Sequence, residues 1–176
     1  MIDYGPVHFV VLDSQQEEQR QDGDILGPQK NWLDADLNAS KAIWKTAFFH
    51  KPPYGIRLGR SNEDIKAAFS PILEQHKVDL VFNGHDHGIA RTYPIKSGTL
   101  MEKPAQGTIY YIVGRSGDKA LSDISKQKWD AFFYNPTDQP NYILVKVAET
   151  KITVSAIKQD GALIDAFSID KTGTSP

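Results

Sequence analysis

Two histidines in the motif formed by Gly84, His85, Asp86 and His87 are the residues of this chain with the clearest capacity for chemistry. They follow the apolar run 78–82, which predicts a buried strand, so the motif would lie at the carboxyl end of that strand. Neutral imidazole nitrogen is a good ligand for zinc, iron and manganese. The motif therefore predicts a transition-metal site at a strand end.

His50 is the third candidate ligand, because it closes the apolar run 47–49 in the same way. Two strands that both end in histidine make coincidence less plausible than one strand would. The other two histidines have structural explanations. His8 alternates with apolar residues in a predicted strand, and His76 falls in the last turn of a predicted helix, where a cation complements the helix dipole.

The loop after His50 carries positive charge that could bind phosphate. Lys51, Arg57 and Arg60 occur there with no acidic residue before Glu63. Guanidinium and ammonium groups beside a metal could hold the non-reacting phosphate oxygens. The alternative interpretation is a basic loop that is simply solvated.

Several neighbours of the histidines could complete the site. Tyr54 and Asn83 are close enough in sequence to line a pocket. Asp86 should point away from the two histidines beside it if the segment is extended, and could orient an imidazole from behind. Gly84 and Gly88 bracket the motif, where glycine permits a tight turn or a close backbone approach.

Residues 7–83 predict the elements that would position these groups. The apolar patterns indicate a strand at 7–12, a helix introduced by Gly27 and Pro28, a strand at 44–49, a helix with an apolar stripe from Ile65 to Leu73, and a strand at 78–82. Ser61, with Asp64 three residues on, resembles a capping pair for the second helix. This alternation predicts a mostly parallel sheet covered by helices, with functional loops at the carboxyl ends of the strands.

The chain changes character after residue 107. Apolar or alternating runs at 109–113, 142–147, 152–157 and 163–169, separated by short turns, predict antiparallel hairpins. An aromatic cluster within residues 118–140 is expected to be a loop or short helix packed on the sheet; its members are Trp129, Phe132, Phe133 and Tyr134.

Composition narrows the classes of function. The 176 residues fit one globular domain, and a net charge of −2 favours neither nucleic acid nor an anionic membrane as a partner. No apolar run approaches the roughly 20 residues that cross a bilayer, and the N-terminus has no signal-peptide pattern. The absence of cysteine excludes disulfides and thiolate metal sites without fixing the compartment.

The sequence also resembles a known family. A strand-terminal histidine, His50, followed by Gly-His-x-His at 84–87, is similar to the end of the calcineurin-like metallophosphoesterase signature, and more narrowly to purple acid phosphatases. Flanking segments agree with this resemblance over most of residues 2–115; they are 3–9, 29–33, 50–54, 91–94 and 107–111.

The resemblance implies an α/β fold, namely the C-terminal half of an αββα four-layer sandwich, with a mixed sheet that is parallel in its N-terminal part and antiparallel in its C-terminal part. It implies hydrolysis of phosphate esters at a dinuclear centre of iron, zinc or manganese. His50 and His85 would bind the divalent metal and His87 the iron-side metal. An extracytoplasmic location is also suggested by the resemblance.

The departures from the family are specific. No Gly-Asp-x-Gly, Gly-Asp-x-x-Tyr or Gly-Asn-His-Glu occurs in residues 1–176, so the N-terminal metal-binding half is expected to be absent. At positions 88–91 this chain has Gly-Ile-Ala-Arg, where the family often has Ala-Tyr-Glu-Arg. A family histidine that assists departure of the leaving group has no counterpart between residues 51 and 75. We therefore expect residues 1–176 to form a single C-terminal portion of the domain and to hold at most half of the metal site. The chain alone is expected to be inactive.

Two interpretations stay open at this point. In the first, the chain is the C-terminal half of a metal-dependent phosphoesterase. In the second, it is a non-catalytic binding or structural domain that retains a partial metal site. In either case, loss of the N-terminal half would expose apolar sheet surface, and self-association through that surface is expected.

Overall fold

The computed structural model describes residues 2–15 and 26–171. In chain order the elements are β1 (Ile2–Tyr4), β2 (Val7–Val11), α1 (Leu26–Ala39), β3 (Trp44–Phe49), α2 (Glu63–Gln75), β4 (Leu80–Asn83), β5 (Ile89–Thr92), β6 (Ile95–Lys96), β7 (Thr99–Leu100), a short 3-10 helix (Pro104–Gln106), β8 (Ile109–Val113), β9 (Asp130–Tyr134), β10 (Asn141–Val147), β11 (Lys151–Lys158) and β12 (Leu163–Asp170).

Seven strands form one mixed sheet in the order β1-β2-β3-β4-β8-β5-β9. Strands β2, β3, β4 and β8 run parallel to one another, whereas β1 pairs antiparallel with β2, and β5 pairs antiparallel with both β8 and β9. The predicted mixed α/β fold is confirmed. Because β3 and β4 are parallel neighbours, their carboxyl ends meet at one edge, which brings the segments after Phe49 and Asn83 together.

The seven-stranded sheet is buried on both faces. Helices α1 and α2 cover one face, where Leu33 and Phe69 pack against Val10 and Val81. The antiparallel sheet β10-β11-β12 covers the other face and forms a core of its own with Trp44. Burial on both faces explains why the central strands are continuous apolar runs rather than alternating ones. None of the helices that the structure describes has the length and hydropathy to span a membrane.

Two predictions for the C-terminal part were wrong. The strand Ile109–Val113 forms no hairpin with the strands after it but joins the large sheet between β4 and β5. The segment expected to be a loop or short helix contains β9, which pairs with β5 through Phe133 opposite Ala90. Short aromatic runs have no decisive periodicity, so only the free edge of β5 determines that this one becomes a strand.

The predicted capping pair of the second helix was also wrong. The N-cap of α2 is Asn62, which makes no side-chain capping bond to the helix. Its amide nitrogen donates instead to the carbonyl of Pro52 at 2.9 Å, while the Ser61 hydroxyl bonds the Glu63 carboxylate at 3.1 Å. The N-cap side chain therefore ties the helix to the loop after His50.

Candidate metal centre

A cavity of about 930 Å³ opens at the carboxyl ends of the parallel strands. It lies between the large sheet and β10, and its walls are mostly apolar; they include Val11, Phe48, Phe82, Val113 and Val145. His50, His85 and His87 line its polar end together with Asn83. The structure therefore places all three predicted histidines in one cavity.

His50 and His85 face each other directly. The Nδ1 atom of His85 lies 3.1 Å from Nε2 of His50, and the ring planes meet at 81°. Gly84 permits this approach, because a Cβ atom there would lie 3.1 Å from Nδ1 of His50. The Gly84 N–H also donates to the His50 carbonyl at 3.0 Å, so the backbone fixes the two segments beside each other.

The backbone of the motif is bent rather than extended. The Asp86 N–H donates to the Gly84 carbonyl at 2.8 Å across His85, whose φ is +68°, which is the pattern of a γ-turn with the rarer hand. His87 also has a positive φ of +53°. Such conformations are costly for residues other than glycine and concentrate at functional sites. The strain falls on two of the three candidate ligands.

Asp86 has a different role from the one expected. It does point away from the histidines, but its buried carboxylate accepts the Ile56 N–H at 2.8 Å instead of orienting an imidazole. Gly88 is closely packed on the same loop, since a Cβ atom there would lie 2.5 Å from the Ile56 side chain. The bent motif is therefore held against the loop that follows His50.

Hydrogen-bond chemistry sets the proton positions in the histidine pair. Arg60 Nη1 lies 3.3 Å from Nε2 of His85, and a guanidinium can only donate. The Nε2 atom of His85 must therefore accept, so its Nδ1 carries the proton and donates to Nε2 of His50. Burial lowers the pKa of His85, and His50, Arg60 and Lys51 lower it further against the opposing charge of Asp86. Both effects favour a neutral imidazole.

His87 is held separately from this pair. Its Nδ1 donates to the carbonyl of Lys119 at 2.8 Å, which leaves Nε2 free of that bond. Within residues 2–15 and 26–171 there is no cluster of three or more histidine or acidic side chains arranged to hold a metal ion. The structure thus brings His50 and His85 together and places His87 elsewhere in the same cavity.

None of the four predicted phosphate-binding residues lines this cavity; they are Lys51, Tyr54, Arg57 and Arg60. Tyr54 is buried in the core, where its hydroxyl bonds the carboxylate of Glu74 at 3.3 Å. Burial, followed by the charge of Glu74, raises the pKa of Tyr54. Lys51 does not line the cavity, and its backbone N–H donates to the hydroxyl of Ser14 at 2.9 Å.

The two arginines of the same loop differ in their contacts. Arg57 forms a 2.7 Å ion pair with Asp123, whereas Arg60 is exposed and reaches His85. Both line a separate small polar cavity of about 70 Å³. Arg60 is therefore the member of the predicted phosphate-binding set that contacts the histidine pair.

The histidines interpreted as structural are in structural positions. His8 is 1% exposed, and its two ring nitrogens lie 2.7 Å from Asp3 and 2.9 Å from Asp36. His76 bonds Asp34 at 2.7 Å at the end of α2. Neither lines the histidine cavity.

Sequence reasoning missed two buried polar residues that line the cavity, Arg115 and Asn141. Arg115 falls in the turn predicted after the run 109–113, and Asn141 directly precedes the run 142–147. A glycine-rich loop with an arginine after an apolar strand was the signal available, but nothing in the sequence shows that the loop returns to the histidines.

The polar end of the cavity fits a transition metal. The His50 and His85 nitrogens are 3.1 Å apart, close to the roughly 3.3 Å expected for two nitrogen ligands of one tetrahedral zinc ion. The Oδ1 atom of Asn83 is buried in the same lining without a hydrogen-bond partner among the residues described, and it could supply an oxygen ligand. Two imidazoles and an amide oxygen form a partial donor set that suits such an ion.

Comparisons with known proteins agree with the fold. The profile of the family described as calcineurin-like phosphoesterase matches residues 4–88. Purple acid phosphatase 23 of Arabidopsis thaliana is 30% identical over 152 residues, which is 79% of this chain and 31% of that protein. The resemblance to calcineurin-like phosphoesterases is thereby confirmed. Within that class, the chain is related to the purple acid phosphatases.

Two solved structures share the fold. Purple acid phosphatase PPD1 from yellow lupin seeds superimposes with a TM-score of 0.75 at 19% identity, covering 96% of this chain and 32% of the lupin protein. The Plasmodium protein GAP50, titled the anchor in the inner membrane complex, gives a TM-score of 0.69 at 14% identity, covering 93% of this chain and 49% of that one. This chain spans about a third of its phosphatase relatives.

Proposed function

We propose that the chain is the histidine-bearing, C-terminal part of a metal-dependent phosphoesterase that hydrolyses phosphate esters at a dinuclear centre. The observation that carries this proposal is the facing pair of His50 and His85 at the carboxyl ends of adjacent parallel strands, in a cavity that His87 also lines. The relation to calcineurin-like phosphoesterases supports phosphoester hydrolysis as the class of reaction.

The residues divide into two groups in this proposal. Nε2 of His50, Nδ1 of His85 and Oδ1 of Asn83 would hold one metal ion, and Nε2 of His87 would hold the other. When bound, iron, zinc or manganese would supply Lewis-acid polarisation of the phosphate and a nucleophile at neutral pH. Arg60, beside His85, is the cation placed to hold a phosphate oxygen.

The remaining ligands would come from outside this chain segment. Two metal ions held close together repel each other unless anionic ligands bridge them. The family motifs that would supply such ligands as aspartates do not occur in residues 1–176. We therefore propose that residues 1–176 act together with an aspartate-bearing half, and that alone they hold at most a half-site. An extracytoplasmic location stays a prediction of the resemblance.

Metal uptake tests this proposal. The purified chain is loaded with zinc, manganese or iron, and its bound metal is measured by plasma mass spectrometry. We expect close to one metal per chain, and loss of nearly all of it when His50, His85 and His87 are replaced by alanine. His76→Ala is the matched control, because it removes a histidine that lies away from the cavity. Uptake that is equal in the triple variant would contradict the proposal.

A phosphate titration then tests the substrate class. Calorimetry with inorganic phosphate should show binding to the zinc-loaded chain and weaker binding to Arg60→Met, while the metal-free chain should show none. Binding that is equal with and without zinc would contradict a metal-dependent phosphate site.

The second candidate is a non-catalytic binding or structural domain. It is favoured by the absence of an acidic ligand cluster from the part of the chain that the structure describes. The fold does not decide between the two functions, because it is shared with a phosphatase and with a protein titled an anchor. Absence of metal uptake in the experiment above would favour this candidate.

The apolar side of the cavity implies a partner. Strand β10 is an edge strand with three exposed apolar residues, namely Tyr142, Leu144 and Val147. Of these, Tyr142 lines the cavity, and Val11 is exposed at the opposite wall. We propose that a second copy covers this surface when the chain is alone, since open edges and apolar patches favour pairing. Sedimentation should show a dimer or larger species; a monomer at micromolar concentration would contradict this.

A further inference from the structure

The loop that follows β8, residues 114–119, is fastened to the start of β10 by Asn141. Its side chain donates from Nδ2 to the Val113 carbonyl at 2.8 Å and accepts the Arg115 N–H on Oδ1 at 3.0 Å. Its backbone N–H donates to the Arg115 carbonyl at 3.0 Å. The contact is so close that a Cβ atom on Gly114, whose φ is +86°, would clash with Oδ1 of Asn141. The first turn of the loop is therefore fixed.

Arg115 fixes the middle of the same loop. Its guanidinium donates from Nε to the Pro136 carbonyl and from Nη1 to the Gly117 carbonyl, both at 2.6 Å. The side chain is buried, and no carboxylate within residues 2–15 and 26–171 forms an ion pair with it. Burying a cation is costly, and the planar guanidinium offsets part of that cost by donating to carbonyls of two different segments from two of its nitrogens.

The fastened loop ends at the carbonyl that contacts His87. Two residues beyond Gly117, the Lys119 carbonyl accepts a hydrogen bond from Nδ1 of His87 at 2.8 Å. A carbonyl can only accept, so Nδ1 must carry the proton. In the neutral imidazole the lone pair is then on Nε2, the nitrogen left available to the cavity.

We infer that Arg115 and Asn141 are positioning residues for His87. They hold loop 114–119 so that the Lys119 carbonyl selects the Nδ1–H tautomer and presents Nε2 as the ligand atom. A histidine ligand of a metal is commonly oriented by a carbonyl or carboxylate on its second nitrogen. That Nε2 binds metal rests on the proposed function, whereas the selected tautomer does not.

Long-range ¹H–¹⁵N correlation spectra of the histidine rings at pH 8 test the inference without metal. His87 is assigned by comparison with His87→Ala. We expect one tautomer with the proton on Nδ1 in the original chain, and a mixture of both tautomers in Arg115→Met and in Asn141→Ala. Arg57→Met is the matched control, since it removes a guanidinium that bonds Asp123, four residues beyond Lys119, and leaves the bonds of Arg115 and Asn141 in place; it should leave the His87 signals unchanged.

Three results would overturn the inference. The first is a mixed or Nε2–H tautomer of His87 in the original chain, a measurement that needs no folded variant. The second is a single Nδ1–H tautomer that persists in folded Arg115→Met or Asn141→Ala. The third is an equal change in Arg57→Met.

A metal titration separates this inference from the proposed function. If the chain binds metal through His87, Arg115→Met should weaken the binding by about tenfold, as the loss of such orienting bonds usually does. A chain that shows the expected tautomer but takes up no metal would contradict the proposed function and leave the positioning role standing. Metal that is lost in His87→Ala but bound with unchanged affinity in Arg115→Met would overturn the positioning role.

Discussion

His8 lies within β2, whereas His50 and His85 lie in the loops that follow β3 and β4 of the same sheet. The hydrogen-bond partners and the backbone differ between these two regions. His8 is buried within its strand, and two carboxylates engage its two ring nitrogens. His85 lies beyond a strand end, has a positive φ, and bonds another imidazole and a guanidinium. Carboxylates engage both nitrogens of His8, whereas the nitrogens of His85 are engaged by a second imidazole and a guanidinium at the edge of a cavity.

The comparison shows which features distinguish a structural histidine from a candidate ligand. Burial alone does not, since His85 is itself partly buried. The partners and the backbone do: carboxylate partners in a regular strand stabilise the fold, whereas a strained turn that presents an imidazole to a cavity costs stability. The predictions below test this contrast.

The largest effect is expected at His8. His8→Ala would remove two hydrogen bonds and leave the buried Asp36 without this partner, so we expect the free energy of unfolding to fall by about 3 kcal/mol. Urea unfolding measures this change. His85→Ala should cost much less, and metal uptake should be lost in His85→Ala but retained in His8→Ala. A larger loss of stability in His85→Ala would break the contrast.

The pH dependence of folding should also come from outside the histidine site. Burial raises the pKa of Asp130, at the start of β9, from 3.8 to about 7. The folded state then holds a proton that the unfolded state releases above pH 4. The stability that this proton provides is complete below about pH 4 and is lost as the pH rises through 7.

Asp130→Asn should flatten this dependence. We expect the free energy of unfolding of the original chain to fall by about 2 kcal/mol between pH 4.5 and 8 relative to the variant, as measured by urea unfolding across that range. Asp138→Asn is a control, because Asp138 is exposed and its bond to Lys158 lowers its pKa to about 2, below the range tested. Parallel curves for the original chain and Asp130→Asn would contradict the expectation.

A smaller effect with the opposite sign is expected at His85. Glycine tolerates the positive φ at this position, so His85→Gly should raise the free energy of unfolding by about 0.5–1 kcal/mol while abolishing metal uptake. Lys77→Gly is the matched control, because Lys77 has a φ of +54° after α2 and lies far from the cavity. It should gain similar stability and keep the metal. Destabilisation by His85→Gly would show that the turn is unstrained.

The smallest effect is expected at Arg60. For Nδ1 of His85 to bind a metal, its proton must move to Nε2, where it would face the Arg60 N–H. Arg60→Met should therefore raise zinc affinity by about two- to threefold, the equivalent of one weak exposed hydrogen bond. Calorimetric zinc titration measures this, with Arg57→Met as control. Weaker zinc binding by Arg60→Met would contradict the proton arrangement of the histidine pair.

Much of the parallel part of the fold could be predicted from the sequence. The apolar runs that became β2 and β3 were located to within a residue, because each is a continuous hydrophobic stretch between polar segments. The strand before the histidines begins at Leu80 rather than Val78, because the Val78 N–H bonds the Leu73 carbonyl at the end of α2. The C-terminal strands were recognised, but the sheet of β8 and the strand character of β9 were not.

The candidate site divides in the same way. Sequence placed His50, His85 and His87 at strand ends, and the parallel pairing of β3 and β4 explains why two of them meet. The carbonyl partner of His87 and the burial of Tyr54 depend on chain segments 20 or more residues away. No local pattern encodes such contacts.

The sequence by itself determined which segments are apolar enough to become central strands and which metal-binding side chains follow them, because hydrophobic runs and their polar boundaries are local properties. Only the tertiary structure decided which ring nitrogens face each other, which backbone carries strain and which loop holds His87. Those features arise where segments distant in sequence compete for the same hydrogen-bonding groups, and packing of the two sheets decides the outcome.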